Sequence, residues 1–210
     1  MKNAVIAIVS VVAALAVVAG GTVGLWMGAG KSATAQTTGT VEGAGEVAPL
    51  AAGLPNAEGI VYAGEYANNL YDAATGMSLF WENDGTYLYV AAISPGTGWV
   101  GVGFSNRPGK PGSNILLGAV ADGMVTIQDN YGVTRVLHLA DKTPSVVSFG
   151  GSEDRGETTL EFVIPLSSGD SQDTALVPGQ TVYVILAYQA TRDSFTSEHT
   201  RYSMTQIALD

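Results

Sequence analysis

The sequence predicts an all-β protein, an antiparallel β-sandwich of about nine to eleven strands preceded by one amino-terminal transmembrane helix. Three observations carry that reading. Short apolar alternations separated by Gly, Pro, Asn and Asp run from Gly59 to the end of the chain. No amphipathic helix of about ten residues or more interrupts them. Ahead of them, Ala4 to Gly30 form 27 residues without one ionisable side chain, longer than the ~20 helical residues that cross a bilayer core.

The amino-terminal run, residues 1–30, has two readings. Lys2 precedes it, Lys31 follows it, and Trp26 sits near its far end as an interfacial anchor does. A cleaved signal peptide has an apolar core of only about 7–15 residues, although Ser32-Ala33-Thr34-Ala35 before Gln36 supplies an Ala-x-Ala site. Length favours an uncleaved single-span anchor in the cell membrane, whereas cleavage would give a secreted protein. Both readings send the rest of the chain outside the cytoplasm. Residues 31–57 are Ala, Gly, Thr and Pro without a sustained period, a composition that reads as a flexible linker. The folded domain is expected over residues 58–210.

Within that domain, Thr86–Ile93 follows Asn83-Asp84-Gly85, a hairpin signal. Trp99–Phe104 is a strand with glycine at alternate positions, and Asn114–Ala121 turns through Asp122-Gly123 into Met124–Asp129. Thr158–Ile164 alternates and stops at Pro165. Thr181–Tyr188 is apolar on both faces, which places it inside a sheet. Tyr202–Leu209 closes the chain. Gly101 and Gly103 bare one face of their strand, for close sheet packing or for a flat ligand.

Charge and composition exclude several functions. The chain carries 9 Lys and Arg against 19 Asp and Glu, a formal net charge of −10. With Lys2 and Lys31 set aside, residues 36–210 hold 19 acids and 7 bases, a net of −12. Such a surface repels nucleic acid. The absence of cysteine excludes disulfides, iron–sulfur clusters and covalent haem attachment. No nucleophile elbow, zinc-protease helix or phosphate-binding glycine loop is present, so the domain is not expected to be an enzyme by itself. Gly169-Asp-Ser-Gln-Asp-Thr174 lacks the ligand count and spacing of a calcium loop.

The remaining candidates are few. His199 lies in the polar loop Asp193–Arg201, where it is an exposed histidine or a ligand for a metal or haem iron. His138 alternates with Leu137 and Leu139 and reads as an ordinary strand residue. Lys110 lies in the turn-rich loop Ser105–Ser113, where a solvated lysine is the plain reading. Tyr87, Tyr89, Tyr131, Tyr183, Tyr188 and Trp99 offer stacking surfaces for a sugar or act as core aromatics.

In order along the chain stand Trp99-Val-Gly-Val-Gly-Phe104, Gly112-Ser-Asn-Ile-Leu-Leu-Gly118, Asp122-Gly-x-Val125 and Asp129-x-Tyr131. They are followed by Phe149-Gly-Gly-Ser-Glu153, Glu161-Phe-x-x-Pro-Leu166, Leu176-x-Pro-Gly179 and Asp193-x-Phe-Thr-Ser-x-His199. This series resembles the DOMON domain family over about residues 58–210. The resemblance implies a β-sandwich outside the cytoplasm. Many members, such as the cytochrome domain of cellobiose dehydrogenase and the haem subunit of ethylbenzene dehydrogenase, bind haem b, while others are thought to bind sugars.

By resemblance, His199 occupies the position of one iron ligand, and Lys110 falls where haem-binding members carry a methionine. A His/Lys pair is implied to lower the reduction potential relative to His/Met, and the lysine must first lose its proton. Otherwise haem is five-coordinate on His199 alone, or absent. Trp99, Gly101, Gly103, Phe104, Ile115 and Leu117 are the expected slot walls, and Arg201 the expected propionate partner. The function so implied is a membrane-tethered, extracytoplasmic electron-transfer module with one noncovalent haem b and a redox partner protein. The alternative is a module that binds carbohydrate or another small ligand.

Overall fold

The computed structural model describes residues 54–210. The expected membrane span and residues 31–53 of the expected linker lie outside the described residues. Among the described residues no helix is long and apolar enough to cross a membrane.

Eleven strands form among the described residues. They are β1 (Asn68–Asp72), β2 (Met77–Asn83), β3 (Tyr87–Pro95), β4 (Val100–Ser105), β5 (Asn114–Ala121) and β6 (Met124–Gly132), then β7 (His138–Ala140), β8 (Ser148–Asp154), β9 (Glu157–Pro165), β10 (Thr181–Tyr188) and β11 (Arg201–Ala208). One sheet has the order β1-β2-β3-β9-β8 and the other β11-β10-β4-β5-β6-β7. All strand pairs are antiparallel. The fold is therefore an all-β, two-sheet antiparallel sandwich.

Local chemistry explains the hairpins. Between β2 and β3, the Asp84 carboxylate accepts hydrogen bonds from the backbone N–H of Thr86 at 2.8 Å and Tyr87 at 2.7 Å. Between β5 and β6, Asp122 and Gly123 both take positive φ, 52° and 76°. A tight hairpin twisted like its strands demands that pairing, and Asp-Gly supplies it at low steric cost.

Strand alternation then divides the residues between faces. On β4, Val100, Val102 and Phe104 enter the core between the sheets, with Leu116 of β5, Leu160 and Phe162 of β9 and Leu186 of β10. Fully burying side chains of this kind stabilises by roughly 1.5–3 kcal/mol each. The alternate residues Ile115, Leu117 and Ala119 of β5 form a second apolar cluster on the outer face with Trp99, which directly precedes β4, and Ala187 and Phe195 pack against it.

The outer face of the five-stranded sheet has its own cluster, built on Tyr66, Tyr89, Ala91 and Val163. Leu54, Ala57 and Val61, from the chain ahead of β1, pack on it. Glu161 of β9 fixes that segment. Its Oε2 accepts from the backbone N–H of Glu58, Gly59 and Ile60 at 3.1, 2.6 and 3.0 Å, and its Oε1 from the Tyr66 hydroxyl at 2.7 Å. Burial raises the Glu161 carboxyl to about 7, against the downward pull of those hydrogen bonds.

Candidate functional site

A cavity of about 520 Å³ opens on the outer face of the six-stranded sheet. That volume lies within the ~300–1,000 Å³ common for small-molecule and cofactor sites. Its floor follows from strand register. Gly101 stands opposite Ala187 and Leu117, while Gly103 stands opposite Ile185 and Ile115, and all six line the cavity. A methyl group on Gly101 would come within 2.8 Å of Leu117 Cδ2, and one on Gly103 within 3.2 Å of Ile115 Cγ1. The alternating glycines thus serve both roles that the sequence left open. They let neighbouring side chains close in, and they bare a flat apolar floor.

One wall is the loop between β10 and β11, which bears His199. Trp99 holds this loop at two points: its backbone N–H donates to the Arg192 carbonyl at 3.0 Å and its indole Nε1 to Ser197 Oγ at 3.1 Å. Thr200 N–H closes the base on the Tyr188 carbonyl at 2.7 Å. The loop carries Phe195 onto the floor cluster. His199 is half-buried, lines the cavity and packs on Tyr202 with ring centroids 4.8 Å apart and a 48° tilt.

A second wall combines the β4–β5 loop with the β6–β7 hairpin. The Lys110 carbonyl accepts from Ser113 N–H at 3.0 Å, and Gly112 N–H donates to the Gly132 carbonyl at 2.7 Å. Gly132 must lack a side chain, because a methyl there would collide with the Lys110 backbone. Gly132 in turn pairs with His138, so Lys110 and His138 reach the cavity side by side. His138 is half-buried, and its Nδ1 lies 3.3 Å from Asn130 Oδ1. Burial, followed by the charge of Lys110, lowers the His138 pKa and favours the neutral imidazole. Burial also lowers the Lys110 pKa.

The charged side chains lining the cavity are Lys110, Arg135 and Glu198. Among the described residues the one ion pair is Arg155–Asp154, so both cavity cations stand without a carboxylate partner. No group of three or more His, Asp or Glu among the described residues is arranged to hold a bare metal ion.

The cavity brings together Trp99, Gly101, Gly103, Ile115, Leu117, Lys110 and His199 of the residues expected from the sequence. Two expectations need correction. Phe104 is fully buried between the sheets, because its parity on β4 matches Val100 and Val102 rather than the glycines. Arg201 is exposed at the start of β11 and does not line the cavity. Of the six aromatics weighed as sugar platforms, only Trp99 reaches the cavity, and Tyr89 and Tyr188 belong to apolar clusters.

Sequence reasoning took His138 as an ordinary strand residue and did not single out Arg135 or Phe195, and all three line the cavity. In the structure Leu137 and Leu139 are 44% and 46% exposed, and the histidine is the residue turned inward. The legible signal was Arg135-Val-Leu-His-Leu139 itself, a short strand whose one polar alternation could face either way.

A family model described as DOMON domain matches residues 73–189, more than half of the chain. A Homo sapiens protein described as putative DBH-like monooxygenase protein 2 is 34% identical over 92 residues, 43% of this chain. The match covers 18% of that protein, so the chain spans less than a fifth of its length. Among solved structures, the cytochrome b domain of pyranose dehydrogenase from Coprinopsis cinerea superposes with a TM-score of 0.53 at 12% identity, over 66% of this chain and 80% of that one. The cytochrome domain of Myriococcum thermophilum cellobiose dehydrogenase gives a TM-score of 0.49 at 12% identity, over 68% of this chain and 88% of that one. With a family model matched from within the β1–β2 turn to the residue after β10, and with the two-sheet fold to accompany it, this chain belongs to the DOMON domain family.

Proposed function

We propose that the cavity holds one noncovalent haem b, and that the domain is an extracytoplasmic electron-transfer module tethered to the membrane by residues 1–30. One observation carries this reading. An apolar floor bared by Gly101 and Gly103 shares a single cavity with two imidazoles, His199 and His138, and two cations without carboxylate partners, Lys110 and Arg135. That combination matches a flat apolar ligand with a metal at its centre and two carboxylates at its edge. The residues fit the group: Gly101 and Gly103 line the cavity at positions where any side chain would crowd Leu117 and Ile115, and neutral imidazoles are good iron donors.

Haem b supplies a one-electron Fe(III)/Fe(II) couple when bound. The chain's own residues do the rest. His199 would hold the iron through its imidazole, from a loop stapled by Trp99. Phe195, Ile115 and Leu117 exclude water from the floor and lower its dielectric. Lys110 and Arg135 balance propionate charge on a chain that is otherwise strongly acidic. By resemblance Lys110 also stands where haem-binding members of the family carry their second ligand. Such a domain passes electrons and catalyses nothing alone, so its partners are a membrane oxidoreductase or a soluble redox protein.

Titration of the purified full chain with haem tests the reading. The expected result is a saturable Soret band at one equivalent, with the low-spin spectrum lost in His199→Ala. Haem that keeps its free-solution spectrum rejects the proposal, and saturable sugar binding in that same protein would favour a carbohydrate-binding module.

A further inference from the structure

We infer that the second axial ligand of the iron is His138 rather than Lys110, an inference that rests on the haem reading above. The first support is topological. β7 and β11 are the two edge strands of the six-stranded sheet. His138 opens β7, and His199 lies two residues before β11. Each wall then leans toward the middle. The His199 loop reaches over β5 through Phe195, which packs against the cluster of Trp99, Ile115 and Leu117. The His138 ring leans over β6 to Asn130, whose backbone partner on β5 is Ile115 of the floor. Two imidazoles therefore line one cavity from opposite edges of the sheet, and a ring seated between them offers each imidazole one face.

The second support is the state of the His138 ring. Asn130 is 1% exposed, and its Nδ2 donates to the Gln128 carbonyl at 3.0 Å. That bond fixes the orientation of the amide and turns its acceptor, Oδ1, to the ring. The nitrogen facing Oδ1, His138 Nδ1, must therefore carry the proton. Nε2 is left with a free lone pair, and it has no hydrogen-bond partner among the described residues. A ligating histidine is commonly held in this way, with one nitrogen donating to a protein oxygen and the other directed to the metal.

Burial lowers the Lys110 pKa, but among the described residues no hydrogen bond orients its ammonium as Asn130 orients the His138 ring. The Lys110 carbonyl is fixed by Ser113, while its ammonium ends a flexible four-carbon stem and must shed a proton before it can bind a metal. Left as a cation beside a neutral His138, it remains available to a propionate.

The experiment compares haem-loaded full-length wild type with H138A, H138M and K110A by visible absorption and low-temperature electron paramagnetic resonance. Wild type should give a six-coordinate low-spin signal characteristic of two imidazoles. H138A should still bind haem through His199 but become high-spin, and added imidazole should restore the low-spin signal, which shows an intact pocket. H138M should stay low-spin with a higher midpoint potential, and K110A should keep the wild-type signal. A low-spin spectrum unchanged in H138A, or lost in K110A, overturns the assignment while leaving haem binding intact. A wild type that takes up no haem overturns the underlying reading, and the ligand assignment falls with it.

Discussion

On the five-stranded sheet, residues ahead of β1 lie across the outer face and close it, whereas on the six-stranded sheet the outer face is left open as a cavity. Both faces are apolar, with Tyr89, Ala91 and Val163 on one and Ile115, Leu117 and Ala119 on the other. An ordinary sandwich alternates apolar residues inward with polar residues outward. Here each sheet needs a cover on its outside as well. The first cover is the chain itself, pinned by one buried carboxylate. The second is partial, formed by two loops that hold imidazoles and cations around bare glycines. An apolar outer face marks a site only where the chain does not already cover it.

Filling the open face is expected to have the largest functional effect. Gly101→Leu places a side chain where the floor is bare and should abolish haem uptake, measured by Soret titration. Overpacking of this kind costs about 1–3 kcal/mol of stability, so the fold should survive, as checked by circular dichroism. Unpinning the closed face should do the opposite. Glu161→Ala leaves three backbone N–H groups and the Tyr66 hydroxyl without their acceptor. Stability in denaturant titration should fall by about 3–5 kcal/mol, given ~1–3 kcal/mol for each buried group left unsatisfied and partial relaxation to water. Haem affinity should change little, because Glu161 lies on the other sheet. A large loss of affinity in Glu161→Ala would break the division between the two faces.

A smaller effect, about 1–2 kcal/mol, is expected of Tyr66→Phe, which removes one hydrogen bond to that carboxylate. The pH dependence sharpens the same point. The Glu161 carboxyl is raised from its ordinary 4.5 to about 7 by burial. A carboxyl raised on folding contributes stability that is full below its unfolded value and is lost as pH rises through its folded value. The stability of wild type relative to Glu161→Gln should therefore decline from about pH 4.5 to about pH 7 and then level off. A difference that grows over that range would contradict the buried, raised carboxyl. Smallest of all, Arg201→Ala at an exposed site should stay within about 0.5 kcal/mol of wild type and leave haem binding unchanged.

Legibility followed the strength of local patterning. β5 and β10 agree with the sequence reading to the residue, because long apolar runs bounded by turn formers have little alternative. The polar or short strands β1, β7 and β8 carry no comparable pattern. Face assignment was harder still. Phe104 and Gly103 are neighbours in one motif yet lie on opposite sides of the sheet, and motif membership does not carry parity. His138 depends on which way an edge strand of three residues turns, and its pairing with Gly132 fixes that. The role of Glu161 needed the fold, since its partners lie about a hundred residues earlier in the chain.

The most direct measurement is the visible absorption spectrum of the purified full chain after haem reconstitution, oxidised and reduced. The account predicts a low-spin Soret band that shifts and sharpens on reduction, with resolved bands at longer wavelength. A spectrum that remains that of free haem in both states would contradict it.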